Sequence, residues 1–192
     1  MLKKFLIILA LLIIPSTTYS YDVIGLTDVN PEKNAYIHNN YGLMYLDMGQ
    51  YYAAIQEFKI AISLNPNTQA SSVYYNNLGE TYLKLGYYSM SLDCFERAIN
   101  KNPLNFKYYL NLVTSYQYMG ILDKKLNTLT KNKQTPLDDI TIGLIYIAKG
   151  QKQKGIAMLD SFVMKEPKLY ITDGVKYYLQ QFTDLQKKKK KK

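Results

Sequence analysis

The sequence predicts an all-α solenoid of stacked helix pairs. Three observations predict it: residue columns that recur in step, apolar residues at helical spacing on both sides of a glycine stop, and a proline closing each copy. Composition permits such a fold, since 192 residues with 47% hydrophobic and 20% charged side chains suit a packed chain rather than a disordered one.

The triplet Gly42, Tyr45, Gly49 returns at the same offsets as Gly79, Tyr82, Gly86 and as Gly143, Tyr146, Gly150. A further copy reads Val113, Tyr116, Gly120, with Val in the first glycine column. Pro66, Pro103 and Pro167 each lie 24 residues after the first glycine of their copy, and Pro136 lies 23 after Val113. Successive copies start 37, 34 and 30 residues apart.

Each column has a physical reason. In the second copy Tyr75, Leu78, Tyr82 and Leu85 make one apolar helical stripe, and Leu92, Phe95, Ala98 and Ile99 make the next. Gly49, Gly86, Gly120 and Gly150 stand where the first helix should stop in a left-handed cap. A glycine inside a helix costs about 1 kcal/mol against alanine. Gly42, Gly79 and Gly143 therefore mark places where a neighbouring backbone or ring must come close. Ala54 and Ser91 fall where the second helix crosses the first, Phe58 and Phe95 fill the gap, and the prolines end the second helix.

Tyr75 to Pro103 resembles a tetratricopeptide repeat through Tyr75, Leu78, Gly79, Tyr82, Gly86, Ser91, Phe95, Ala98 and Pro103. Asn39 to Pro66 is similar through Gly42, Tyr45, Gly49, Ala54, Phe58, Ala61 and Pro66, with His38 in the aromatic slot and Tyr41 in the Leu slot. The third copy keeps Tyr109, Leu112, Tyr116 and Gly120 but departs in its second helix, at Lys125 and Asn132. The fourth keeps Gly143, Tyr146, Gly150 and Pro167, with Gly155 in the Ala slot. The resemblance implies a right-handed superhelical solenoid of about four helix pairs over 35–168, divided near 35–68, 72–105, 106–135 and 136–169. Residues 170–186 read as an amphipathic capping helix, with Val175, Tyr178, Leu179 and Phe182 on or near one face. Residues 21–34 read as an extended leader.

The resemblance also implies a scaffold without catalysis or cofactor, which holds a protein or an extended peptide on a concave face lined by the first helix of each copy. Asn40, Asn77 and Asn111 share one slot there, two residues before Gly42, Gly79 and Val113, and their amides can hold an extended backbone. Asn76, Glu80, Lys84, Lys107 and Thr114 are expected in the same groove. Related scaffolds that clamp a carboxylate carry cations where this chain has Asn39 and Asn111, so a neutral groove is the better expectation. Twenty tyrosines are best read as filling packing slots, with a Tyr-lined binding surface as the alternative.

The ends carry an address and a charge. Lys3 and Lys4, the ten apolar residues Phe5–Ile14, Pro15 and the small residues up to Ser20 make a secretory signal pattern, with the cut expected before Tyr21. Ten residues span about 15 Å as a helix against about 30 Å of hydrocarbon, so export to a bacterial periplasm or medium is favoured over a signal anchor. The formal charge is +9, but Lys3, Lys4 and Lys187–Lys192 carry eight of the positive charges. Residues 21–186 hold 16 basic and 15 acidic side chains, which argues against a nucleic-acid groove. Lys187–Lys192 is expected as a solvated tail able to touch an anionic polymer or lipid surface.

Enzyme chemistry finds little to work with. One Cys and one His exclude an internal disulfide and argue against zinc clusters. Cys94 reads as a small buried apolar residue and His38 as a packing residue. Asp138–Asp139 reads as the start of a helix rather than an acid/base pair.

Overall fold

Glycine stops and helical stripes fold as their spacing dictates. The computed structural model describes residues 30–190, with side chains to Phe182, and the described residues form nine helices and no strand. These are α1 (Pro31–Asp47), α2 (Tyr51–Leu64), α3 (Ser71–Lys84), α4 (Tyr88–Lys101), α5 (Phe106–Tyr118), α6 (Leu122–Lys131), α7 (Asp138–Ala148), α8 (Lys152–Lys165) and α9 (Tyr170–Lys190). The signal pattern and most of the leader lie outside the described residues.

The first turn of α1 falls inside the stretch expected to be extended. Asn30 accepts a hydrogen bond from the Lys33 backbone N–H at 3.0 Å, and Pro31 opens the helix where its missing N–H costs nothing. At the other end α9 runs to Lys190, past the expected boundary at 186 and into the lysine run. Lysine is a good helix former, and a helix already anchored at Ile171 and Val175 adds residues without a new nucleus.

The second glycine of each copy ends its helix in the left-handed region. Gly86 sits at φ 78°, its N–H donates to Leu83 O at 3.1 Å, and Tyr87 N–H donates to Tyr82 O at 2.9 Å. That is the 6→1 and 5→2 pairing that turns α3 into α4.

The first glycine admits the partner helix. A Cβ on Gly42 would stand 2.5 Å from the Phe58 ring, and one on Gly79 would stand 2.6 Å from the Phe95 ring. Both phenylalanines are fully buried, as are Ala54 and Ser91 at the crossings. In the fourth copy Leu159 takes the ring's place, and a Cβ on Gly143 would meet it at 2.9 Å. Thus α1 packs closely on α2, α3 on α4 and α7 on α8, while α2–α3 and α4–α5 join successive copies.

The third copy lacks that glycine and is splayed. Val113 is buried where the other copies have no side chain, and α5 packs more closely on α7 than on α6. Leu126 is the one residue of α6 that is buried. The opening leaves a cleft of about 540 Å³ among Ile99, Tyr109, Leu112, Tyr116, Leu129 and Leu137. Burial raises the Tyr109 hydroxyl to about 12, with the Asp138 carboxylate adding to the shift, and burial raises Tyr116 as well.

The main core spans copies three and four, takes in Phe95 of the second copy, and continues onto α9 through Ile171 and Val175. From there α9 reaches back to α5, where Gly174 lies against Phe106 and the Tyr178 ring sits 5.4 Å from the Phe106 ring.

Candidate functional site

The residues expected in the groove sit on α1, α3 and α5, and four of them make one cluster. Glu80 on α3 accepts three donors on a single oxygen, Oε1. Asn76 Nδ2 lies at 3.0 Å, Asn111 Nδ2 at 2.8 Å and Lys107 Nζ at 2.6 Å. Asn111 Nδ2 also donates to Asn76 Oδ1 at 2.8 Å. The residues converge because Asn76 and Glu80 are one turn apart on α3, as Lys107 and Asn111 are on α5.

The other four take no part in this cluster. Asn77 turns into the joint between copies, where Nδ2 donates to Asn39 Oδ1 at 2.8 Å in a buried pair. Asn40 is exposed on the outer face of α1, and Lys84 is exposed at the end of α3. Thr114 Oγ1 donates to Leu110 O of its own helix at 2.8 Å. The three asparagines of the shared slot are therefore not equivalent. The contacts run diagonally, from the residue three before the first glycine column of one copy to the residue two before it in the next. Asn39 pairs with Asn77 in this way, and Asn76 with Asn111. Among the described residues no helix pair precedes α1 for Asn40 to meet.

Both amide protons of Asn111 are committed within the cluster. Glu80 Oε2 and Asn111 Oδ1 take no part in these bonds and keep their acceptor character, beside the exposed Lys107 side chain. Further along the same face the lining is mixed. Leu110, Val113, Leu144, Ile147 and Ala148 line a trough of about 220 Å³ with Thr114 and Gln117, and Tyr178 of α9 closes its wall. Sequence reasoning missed this half, because Tyr178 reaches it only through the return of α9 to α5.

His38 and Cys94 are both packed. His38 Nδ1 lies 2.6 Å from Glu57 Oε2 and ties α1 to α2. Burial pushes the Cys94 thiol up to about 12, with the Asp93 carboxylate adding to the shift. Asp138 does open α7, but its carboxylate accepts from the backbone N–H groups of Gln134 (2.8 Å) and Thr135 (2.9 Å) ahead of the helix. Among the described residues no group of three His, Cys, Asp or Glu side chains is placed to hold a metal ion, and no helix is long and apolar enough to cross a membrane.

Solved structures similar to this chain include two tetratricopeptide repeat domains and MamA. The Arabidopsis OM64 domain is 14% identical over 79% of this chain and 98% of its own, with a TM-score of 0.46. The second such domain of human RPAP3, in complex with an HSP70 peptide, is 17% identical over 69% of this chain and 97% of its own, with a TM-score of 0.48. MamA from Desulfovibrio magneticus RS-1 is 18% identical over 71% of this chain and 77% of its own, with a TM-score of 0.46. No curated protein sequence matches the chain. The tetratricopeptide repeat family model matches residues 34–101. That match covers the first two helix pairs, with their Gly42–Phe58 and Gly79–Phe95 contacts. Residues 34–101 therefore belong to the tetratricopeptide repeat family.

Proposed function

We propose that the chain is a binding scaffold that holds an extended segment of a partner protein along the first-helix face, with no chemistry of its own. The observation that carries this reading is the continuity of two unlike halves on one face. The fixed polar cluster Asn76–Glu80–Asn111–Lys107 leads into the trough that Leu110, Val113, Leu144 and Ile147 line with Thr114 and Gln117. Backbone N–H groups of the segment meet Glu80 Oε2 and Asn111 Oδ1, and apolar side chains enter the trough beside Tyr178. The cluster is already ordered, so little side-chain entropy is lost when it binds. Lys107 is paired with Glu80 at 2.6 Å, which suits a neutral backbone better than a terminal carboxylate.

The segment is met outside the cytoplasm in this reading. Residues 1–20 carry the export signal and are removed, which mass spectrometry of the native protein checks by finding Tyr21 at its start; an intact Met1 contradicts it. The groove is tested by photo-crosslinking. A photoreactive residue at Lys84, Thr114 or Gln117 captures one common partner segment, and the same residue at Lys124 on α6 does not. Equal capture from both faces refutes the groove.

A further inference from the structure

Among the described residues the inter-copy face of α1 has no neighbour, although it is built like the faces that do. In the second copy Leu78 and Thr81 are buried against the preceding pair; Leu112 and Ser115 in the third copy and Ile142 and Ile145 in the fourth are buried likewise. The residues in those slots of α1 are Tyr41 and Met44, exposed by 48% and 42%, with Met48 a turn further on exposed by 62%. Terminal repeats of soluble solenoids present a polar outer face. This one presents tyrosine and methionine, the residue types enriched at the centres of protein interfaces. The opposite end of the stack is covered by α9.

The exposed stripe of α1 is also complementary to itself. Lys33, Tyr36, Asn40, Met44 and Asp47 are spaced by three or four residues and share one side of the helix. They are symmetric about Asn40: Lys33 lies seven residues before it and Asp47 seven after, while Tyr36 lies four before and Met44 four after. When two such helices run antiparallel with Asn40 on the two-fold axis, Lys33 of each faces Asp47 of the other. Tyr36 then faces Met44, and the two Asn40 amides can donate to each other. The leader residues 21–29 carry Asp22 and Asp28 and no cation to pair with Asp47.

We infer that the α1 face is a self-association surface, on which a second copy of this chain packs its own α1 antiparallel about Asn40. The interface is isologous and closes at two copies. It leaves the groove free, because Glu80, Asn111 and the trough lie on α3, α5 and α7.

Two experiments on the full chain test it. Asn40→Cys forms a disulfide-linked dimer under mild oxidation, whereas Lys84→Cys does not; Cys94 is buried and does not compete. In sedimentation equilibrium Lys33→Glu and Asp47→Lys each lower the dimer fraction at least several-fold, and the double variant Lys33→Glu/Asp47→Lys restores it. Neither substitution threatens the fold, because an acidic first turn and a basic last turn both suit the helix dipole. Equal dimer fractions in the single and double variants overturn the inference. So does an Asn40→Cys thiol that stays shielded from a small reagent in a monomer, since another segment of the chain then covers the face.

Discussion

Replacing Gly79 by alanine sets two opposing terms against each other. In a free helix the substitution stabilises by about 1 kcal/mol. Here the new Cβ would stand 2.6 Å from Phe95 Cε1 and 2.9 Å from Cδ1, closer than carbon atoms approach, and 3.0 Å from Cζ. Phe95 is fully buried and belongs to the main core, so its ring has no empty space to enter. Helices α3 and α4 must part instead. Overpacking of this kind costs about 1 to 3 kcal/mol. The net expected for Gly79→Ala is a loss of about 0 to 2 kcal/mol. For Gly79→Leu, which sets three more carbons in the same space, the loss lies at or above the top of the overpacking range. The assay is urea unfolding at constant slope, with Lys84→Ala as an exposed control within about 0.5 kcal/mol. A second variant isolates the contact. Phe95→Leu makes room, so Gly79→Ala should cost less in that background, a coupling of about 0.5 kcal/mol or more. Gly79→Ala that stabilises by the full propensity term, or that adds independently of Phe95→Leu, refutes the packing account.

Asn77→Ala leaves the buried Asn39 amide without its partner, so it should destabilise by about 1 to 3 kcal/mol, while Asn40→Ala at the exposed slot should stay within about 0.5 kcal/mol; chemical denaturation of the two variants decides it. The alkaline limit follows from burial. Cys94 and Tyr109 are both raised to about 12, so their neutral forms are favoured in the folded state. Their contribution is complete below the ordinary ionisation ranges, near pH 8.5 for Cys and 10 for Tyr, and is lost as pH rises through about 12. Circular dichroism across this window should show cooperative loss of helix, and thiol labelling of Cys94 at pH 8 should need unfolding; rapid labelling of the folded chain contradicts the burial.

How far the sequence could be read depends on which contacts lie within a copy. Gly42 and Phe58, like Gly79 and Phe95, belong to the same copy at the same spacing, so the column of small residues and the column of rings could be paired by eye. The left-handed φ at Gly49, Gly86, Gly120 and Gly150 was legible for the same reason. The start of α1 was written in Asn30 and Pro31, a cap and a first-turn proline that could have been read. The asparagine contacts were not legible. A periodic slot says which residues are equivalent, not which slot of one copy touches which slot of the next, and here Asn39 meets Asn77 by a one-residue diagonal. The splayed third copy was visible only as a missing glycine at Val113. Its consequence, α5 packing past α6 onto α7, needs the three-dimensional stack. The same holds for Tyr178, whose place in the trough depends on α9 crossing to Phe106.

The first-helix face is the centre of the functional account, and a titration of the crosslinked partner segment, made as a synthetic peptide, tests it most directly. Backbone amide resonances of the chain are followed as the peptide is added. The account predicts shifts at Glu80, Lys84, Lys107, Asn111, Thr114, Gln117, Leu144 and Tyr178, with α2, α4 and α6 unmoved. Shifts concentrated on α4 and α6, around the cleft of Ile99, Tyr109 and Leu129, would contradict it and move the binding site to the opposite side of the stack.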